Sequence, residues 1–195
     1  MTKGFLFMSK VWCVLAVVPL LFAMSAHAEE KQVTPLSGGI PMIEGMKMLE
    51  PGAMAPDFAI KDTEGKGFNY GEEKGKGPVL LVFWSIFCEP CRAEMPIIQK
   101  LHEKHRDSLT VLGIALDGEP LKSSIIGFVK QDKYTFRVLV DELDEKEMFK
   151  VADPYGVGGT PTVFLLDKGG KVVLSKVGRF KEEDLEKAIQ SVLKK

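Results

Sequence analysis

The stretch VLLVFWSIFCEPCRAEMP, residues 79–96, decides the fold of this chain. It opens with an almost continuous apolar run, residues 79–84, which is typical of a strand buried on both faces of a sheet. A helix is predicted to follow, starting at Cys88 or Glu89 and extending towards Arg106. The pattern therefore places a Cys-x-x-Cys sequence at the junction of a buried strand and a helix.

A cysteine at such a junction is well placed for chemistry. The unpaired backbone amides and the dipole at a helix N-terminus favour an anion, so they stabilise the thiolate of Cys88. Cys91 follows three residues later, one turn further along the same side of the helix. Cys88 can therefore attack a substrate disulfide and Cys91 can resolve the mixed disulfide, while Pro90 is compatible with the first helical turn. This reaction needs no cofactor.

A structural disulfide and a zinc site are the other interpretations of this cysteine pair. A bridge across a two-residue spacer closes almost no loop, so it adds little stability. A zinc site needs a second pair of ligands, and the remaining cysteine, Cys13, lies in the N-terminal apolar run. His102 and His105 lie at least three helical turns from the cysteines and are predicted to be solvated surface residues. No metal is therefore expected.

The first 28 residues, 1–28, have the layout of a secretory signal peptide. Lys3 and Lys10 precede an apolar run, residues 11–24, which is short for a membrane span of about 20 residues. The sequence Ala-His-Ala that ends at Ala28 puts small residues where a signal peptidase cleaves. We therefore expect a periplasmic or otherwise extracytoplasmic protein that starts at Glu29. The alternative is a retained leader that anchors the protein in the membrane.

Charge and composition limit the partners of the remaining chain. Removing the leader takes away two lysines and no acids, which leaves 24 of the 26 basic residues against 27 acidic residues, a net charge of −3. This balance is too mild to indicate nucleic acid or an anionic membrane as a partner. Residues 29–50, rich in Gly, Pro and Met, are interpreted as a flexible arm, and residues 51–195 as one domain.

The rest of the domain alternates strands and helices and closes with a hairpin. The predicted elements are two short strands around the turn Asp62–Lys66, a strand at 109–117, a helix from Leu121 to about Asp132, a strand at 136–141, a short helix from Asp144 to Val151, a hairpin formed by 160–167 and 171–178, and a helix from Lys181 to Leu193. This order predicts a mixed three-layer α/β domain.

The motif at 79–96, together with GVGGTPTVFLLDKGGKVV (156–173) and PGAMAPDFAIKDTEGK (51–66), resembles the thioredoxin superfamily. Within the superfamily it is similar to the exported ResA/TlpA-type thiol-disulfide oxidoreductases. The resemblance covers about residues 51–195. It implies a three-layer thioredoxin-like fold, in which a central mixed sheet is flanked by helices. An N-terminal hairpin and a central helix–strand insert, residues 118–141, are expected as additions to the plain thioredoxin core.

The resemblance assigns roles to further residues. Pro161 matches the cis-proline that faces the active cysteines, and Thr160 would offer backbone groups to a bound substrate strand. Glu94 matches a glutamate that this subfamily uses near its cysteines, where it could pass a proton to or from Cys91. Its spacing alone favours an ordinary exposed helix glutamate. Because Val82 stands where plain thioredoxin has a buried aspartate, Glu94 is the obvious substitute for that acid.

Glu89 bears on the direction of electron flow. A carboxylate beside Cys88 disfavours the thiolate, which destabilises the dithiol relative to the disulfide and suits a reductant. The resemblance likewise implies reduction of client disulfides, such as those of apocytochrome c haem-attachment cysteines in cytochrome c maturation. It also implies a membrane thiol transporter of the CcdA/DsbD type as electron donor, and we expect a monomer. The expected substrate groove is formed by Trp84, Glu89, Pro90 and Thr160.

Two other classes of protein are weighed against this one. A peroxiredoxin-like peroxidase shares the fold, but its motif needs a proline seven residues before the cysteine, where this chain has Leu81. A periplasmic Cu(I)-binding chaperone would use the Met-rich arm, since thioether ligands suit Cu(I). The methionines concerned are Met42, Met46, Met48 and Met54. Packing of these methionines on the domain is the plainer interpretation.

Overall fold

The computed structural model describes residues 34–35, 41–42 and 47–194 of the 195-residue chain. The predicted leader, residues 1–28, lies outside the described residues, so it stays a prediction. Among the helices in the described parts of the chain, none is long and apolar enough to cross a membrane.

The described elements follow the predicted alternation of strands and helices. They are β1 (Thr34–Pro35), β2 (Pro41–Met42), β3 (Ala59–Asp62), β4 (Gly67–Asn69), α1 (Tyr70–Glu73), β5 (Val79–Trp84), α2 (Glu89–His105), β6 (Thr110–Ala115), a 3₁₀ turn (Glu119–Leu121), α3 (Lys122–Gln131), β7 (Arg137–Val140), β8 (Thr162–Leu166), β9 (Val172–Val177) and α4 (Glu182–Leu193). β1 and β2 pair with each other, and the remaining strands form one seven-stranded sheet in the order β4-β3-β7-β6-β5-β8-β9.

The large sheet is mixed, as predicted. β5, β6 and β7 are parallel neighbours, so their carboxyl ends lie at one edge of the sheet. β8 runs antiparallel to β5, and β9 runs antiparallel to β8. The β3–β4 hairpin joins the sheet through β7, which arrives with α3 as the predicted insert. The prediction of a thioredoxin-like fold is confirmed.

Residues 79–84 are all apolar because β5 is covered on both faces. All six of its side chains are buried. Since successive strand residues point to opposite faces, the run divides between two cores. These are Leu80, Val82 and Trp84 on the face of α2 and α4, and Val79, Leu81 and Phe83 on the face of α1 and the turns at 151–157.

The helices α2, α3 and α4 form one outer layer, and α1 with irregular segments forms the other. α2 buries Cys91, Met95, Ile98 and Leu101 against the sheet, and α4 buries Leu185, Ile189 and Val192 in the same core. Each such aliphatic side chain stabilises the fold by about 1.5–3 kcal/mol relative to an exposed one. The opposite face is covered by α1, by Ala55 and Phe58 before β3, and by the turns at 151–157. The domain that the structure describes is therefore three-layered.

The predicted short helix from Asp144 to Val151 is wrong, because this segment consists of turns, a bend and the isolated β-bridge of Phe149 with Leu143. The Asp144 side chain accepts hydrogen bonds from the backbone N–H groups of Lys146 and Met148, at 2.8 and 3.0 Å, and so closes a tight loop. Glu147 has a φ of 59°, which is incompatible with a right-handed helix. The spacing of apolar residues suggested a helix, but local capping by an aspartate favours the turn.

The segment just before the domain lies against it. The backbone N–H of Leu49 donates to the carbonyl oxygen of Tyr155 at 3.1 Å, and Met48 and Leu49 pack partly buried on the second core. Gly156, with a φ of 67°, approaches this segment so closely that a Cβ there would lie 2.1 Å from the carbonyl oxygen of Lys47. The close approach explains why a glycine occupies position 156.

Candidate active site

The Cys-x-x-Cys sequence lies at the carboxyl edge of the sheet, where β5 leads into α2. Cys88 is the N-cap residue of α2, and its Sγ accepts a hydrogen bond from the backbone N–H of Cys91 at 3.2 Å. The two cysteines form a disulfide, so the protein is described in its oxidised form. A sulfur held at a helix N-cap faces the unpaired amides of the first turn, which is the predicted environment for a stabilised thiolate.

The two cysteines differ in accessibility. Cys88 is half-buried, whereas Cys91 is only 1% exposed and belongs to the helix-side core. An incoming disulfide can therefore reach Cys88 without any rearrangement of the structure, but it cannot reach Cys91. This asymmetry is what an attacking cysteine and a resolving cysteine require.

Thr160 and Pro161 lie at the same edge of the sheet as the cysteines. β8 runs antiparallel to β5 and starts at Thr162, which pairs with Phe83 near the end of β5. The Thr160-Pro161 peptide bond is cis, so the predicted isomer is confirmed. Thr160 is half-exposed and Pro161 is buried. The topology therefore brings together two motifs that lie about 70 residues apart in the chain.

Glu94 is a buried carboxylate, which rules out the exposed-glutamate interpretation. Its side chain is only 6% exposed, and its Oε1 accepts a hydrogen bond from the backbone N–H of Phe180 at 2.9 Å. Among the described residues, Oε2 has no hydrogen-bond partner. Burial raises the pKa of Glu94 above its usual value, opposed by the Phe180 amide and by the charges of Arg179 and Lys176.

The buried face of α2 brings this carboxylate close to the resolving cysteine. Glu94 follows Cys91 by three residues, so both side chains lie on the same side of the helix, with Cβ atoms about 5–6 Å apart. Val82, where plain thioredoxin has an aspartate, is buried in the same apolar core as Cys91. A carboxyl group with a raised pKa in this position can exchange a proton with the Cys91 thiol.

Trp84 does not line a substrate groove, which corrects the prediction for this residue. As the last residue of β5, its side chain points to the helix-side core, where it is 0% exposed and packs against Phe128 with ring centroids 5.4 Å apart. Phe87 provides the exposed aromatic surface instead, since it is 75% exposed and directly precedes Cys88. Its position directly before the Cys-x-x-Cys motif is the feature of the sequence that could have predicted this exposed ring.

The other predicted groove residues are accessible. Glu89 is exposed and Pro90 is half-buried, both in the first turn of α2. Thr160 is half-exposed and lies two residues before β8, at the same edge of the sheet. The surface around Cys88 therefore combines an exposed aromatic ring, a carboxylate and a backbone segment that precedes a strand.

The prediction for His105 is wrong, because this residue is buried rather than solvated. It is 7% exposed, and its Nε2 lies 3.0 Å from Oε2 of Glu186 on α4. This contact links the C-terminal end of α2 to α4. His102 is half-buried, and desolvation lowers its pKa.

The methionines proposed as copper ligands have differing surroundings. Met48 packs partly buried against the core, and Met54 is 57% exposed. Met46 and the side chain of Met42 lie outside what the structure describes. Partial burial of Met48 agrees with the interpretation that it packs on the domain.

Comparison with known proteins agrees with this geometry. Residues 50–192 match the redoxin family. Thiol-disulfide oxidoreductase ResA of Bacillus cereus is 38% identical over 144 residues, which cover 74% of this chain and 79% of that protein.

Solved structures give the same assignment. A Chlorobium tepidum protein described as thiol:disulfide interchange protein DsbE is 32% identical, with a TM-score of 0.64 over 74% of this chain and 99% of its own. The exposed lipoprotein thioredoxin of Streptococcus pneumoniae is 25% identical, with a TM-score of 0.58 over 70% and 99%. This chain therefore belongs to the redoxin family and is a thiol-disulfide oxidoreductase of the ResA type, within the thioredoxin superfamily.

Proposed function

We propose that this enzyme reduces disulfides of client proteins outside the cytoplasm, and that the haem-attachment cysteines of apocytochrome c are among them. The observation that carries the proposal is the asymmetric pair at the start of α2. Cys88 is accessible, Cys91 is buried, and the buried carboxyl group of Glu94 lies one turn beyond Cys91.

The proposed reaction starts from the reduced enzyme. The Cys88 thiolate attacks one sulfur of the client disulfide, and a mixed disulfide forms while the other client sulfur leaves and takes up a proton. Cys91 then gives its proton to Glu94 and attacks Sγ of Cys88. This step releases the second client sulfur as a thiolate, which takes up a proton from solvent, and leaves the Cys88–Cys91 disulfide, while Glu94 returns its proton to solvent. Two electrons and two protons have then passed to the client.

The surroundings of Cys88 support the reducing direction. Glu89 occupies the first turn of α2, so its carboxylate competes with the Cys88 thiolate for the positive end of the helix dipole. A less stabilised thiolate makes the dithiol less stable relative to the disulfide, which lowers the reduction potential. Because Glu89 is exposed, solvent screens this effect and keeps it modest.

The proposed compartment rests on the leader and on the relatives. Residues 1–28 have the layout of an export signal, and one structural relative is by its description an exposed lipoprotein. A reductant in an oxidising compartment needs a supply of electrons. We assign this supply to a membrane thiol transporter of the CcdA/DsbD type, which would reduce the Cys88–Cys91 disulfide of the monomer after each turnover.

Trapping of the mixed disulfide tests the proposal. Without Cys91 the intermediate on Cys88 cannot be resolved, so the Cys91→Ala protein should accumulate client proteins in disulfide linkage, identified by mass spectrometry under non-reducing conditions. The Cys88→Ala protein is the matched control and should trap none. The reverse pattern would overturn the roles of the two cysteines, and trapped partners without any c-type apocytochrome would refute that client.

A direct assay tests the chemistry on a defined substrate. Reduced enzyme should convert an oxidised Cys-x-x-Cys-His peptide to its dithiol, and the Cys88→Ala protein should not. Persistence of the peptide disulfide with the reduced wild-type enzyme would contradict reduction of haem-attachment sites.

A further inference from the structure

The loop between β5 and α2 is held by a side chain from the segment that follows the neighbouring strand, β6. Asp117 follows the end of β6 by two residues and is half-buried. Its Oδ1 accepts a hydrogen bond from the hydroxyl group of Ser85 at 2.7 Å, and its Oδ2 accepts one from the backbone N–H of Ile86 at 3.1 Å. Neither contact belongs to the cysteine machinery described above.

These two contacts are part of a larger set that fixes the whole loop. The Ser85 hydroxyl oxygen, while donating to Asp117, accepts a hydrogen bond from the backbone N–H of Phe87 at 3.1 Å. The backbone N–H of Cys88 donates to the carbonyl oxygen of Ser85 at 3.1 Å. The backbone N–H groups of three consecutive residues before α2 are therefore all bonded, and two of these bonds depend on Ser85 and Asp117.

We propose that Asp117 is a positioning residue for thiol-disulfide exchange. It holds the segment Ser85–Phe87, and through it Cys88, in the orientation that presents the sulfur at the start of α2. Its carboxylate also adds a negative charge to the loop that precedes the helix, which disfavours the Cys88 thiolate. The inference rests on the thiol-disulfide activity of the chain and does not depend on the identity of the client.

Other charged groups on the neighbouring segments belong to α2, the 3₁₀ turn and α3. On α2, Glu89 adjoins Cys88, and Arg92 lies one turn further, with its guanidinium group 5.9 Å from the centre of the Phe128 ring. Beyond Asp117, Glu119 forms an ion pair with Lys122 at 3.0 Å. These residues stay unchanged in the variants below, so differences between variants report on Asp117 and Ser85.

Three substitutions separate orientation from charge. Asp117→Asn removes the negative charge and one of the two acceptors, because the amide nitrogen cannot accept a hydrogen bond. Asp117→Glu keeps the charge but displaces the carboxylate by one methylene group. Ser85→Ala keeps the charge of Asp117 and removes the hydroxyl group that joins it to Phe87. Asp144→Asn is the matched control, since Asp144 also accepts two backbone hydrogen bonds in a loop at the same sheet edge.

The measured quantity is the alkylation rate of Cys88 in the reduced full-length protein as a function of pH, read on the Cys88 peptide by mass spectrometry. Loss of the charge in Asp117→Asn should lower the midpoint of this pH profile by about one unit, which corresponds to about tenfold more thiolate at a pH below the midpoint. Asp117→Glu, Ser85→Ala and the control Asp144→Asn should keep the wild-type midpoint. A purely structural role for Asp117 would shift no midpoint.

Orientation is measured with a small aromatic disulfide, 5,5′-dithiobis(2-nitrobenzoate), at a pH where Cys88 is fully ionised. The plateau rate should fall several-fold in Asp117→Asn, Asp117→Glu and Ser85→Ala, and stay unchanged in Asp144→Asn. Thermal unfolding identifies any variant that does not fold. If Asp117→Asn does not fold, wild-type plateau rates in both Asp117→Glu and Ser85→Ala would overturn the proposal. In a folded Asp117→Asn protein, a wild-type midpoint and plateau would overturn it as well.

Discussion

Replacing Glu94 by Gln tests how the buried carboxyl group acts on the cysteines. Glutamine has nearly the same shape and keeps an oxygen that can accept the hydrogen bond from the Phe180 amide, now made by Oε1 at 2.9 Å. The substitution removes the titrating proton and the negative charge. We therefore expect the free energy of unfolding at neutral pH to change by less than about 1 kcal/mol.

The effect on the cysteines should be much larger. Two unit charges about 6 Å apart, the spacing of Cys91 and Glu94 on the helix, repel by about 3 kcal/mol at an effective dielectric constant of about 20. Burial raises the pKa of Glu94 above its usual value, and once the carboxyl group is ionised its charge opposes ionisation of the Cys91 thiol. Removing the charge should therefore lower the pKa of the Cys91 thiol by up to about 2 units. Cys88, about 9 Å away along the helix axis, should respond less.

The assay is a pH titration of the reduced protein by thiolate absorbance near 240 nm, combined with the pH dependence of Cys88 alkylation. Glu103→Gln is the matched control, because Glu103 is an exposed glutamate on the same helix, about 18 Å from Cys91 along the axis. The control should reproduce the wild-type titration. If Glu94→Gln and Glu103→Gln both give the wild-type profile, Glu94 has no part in proton exchange and only caps the Phe180 amide.

Three further predictions follow from other parts of the structure. The Cys88–Cys91 couple should have a reduction potential of roughly −220 to −300 mV, close to that of thioredoxin at about −270 mV. Equilibration in glutathione or dithiothreitol buffers measures this potential. A value near the −120 mV of the oxidase DsbA would make the protein a disulfide donor. Burial raises the pKa of Asp141 to about 6, so the native state holds this proton more tightly than the unfolded chain. The free energy of unfolding should therefore fall by up to about 3 kcal/mol as the pH rises from about 4 to 6. In urea titrations at several pH values, the Asp141→Asn protein should lack this pH-dependent fall. Gly156→Ala should destabilise the fold by more than about 2 kcal/mol, because its Cβ would collide with the backbone at residues 47–48. The control Gly127→Ala, in an open position on α3, should stabilise the fold by about 0.5–1 kcal/mol. Equal melting temperatures of the two variants would show that the 47–48 segment does not pack on the domain.

Much of the fold and the cysteine site could be predicted because the deciding signals are local. The apolar run at 79–84 and the helical pattern after it fix a strand and a helix that are neighbours in sequence. The junction between them therefore carries Cys88 at the helix N-cap, whatever the rest of the chain does. The closing hairpin and α4 likewise follow from alternation and from helical spacing over a few residues.

Prediction fails where local patterns compete. Asp144–Val151 has apolar residues at helical spacing, yet the Asp144 side chain satisfies backbone amides within a turn. Both outcomes are compatible with the local sequence. The isolated bridge between Leu143 and Phe149, together with packing of Val151 in the second core, favours the turn.

The sequence by itself determined which residues can do chemistry, since two cysteines at this spacing before a helix are a redox pair on local grounds. Only the tertiary structure decided the surroundings of that pair. Buried Glu94 accepts its hydrogen bond from the backbone N–H of Phe180, 86 residues away, and Asp117 reaches Ser85 across 32 residues because β6 lies beside β5. Trp84 is hidden by Phe128 of α3, which leaves Phe87 as the exposed ring. Burial and hydrogen-bond partners depend on contacts between segments that are distant in the chain, and no local pattern of residues specifies those contacts.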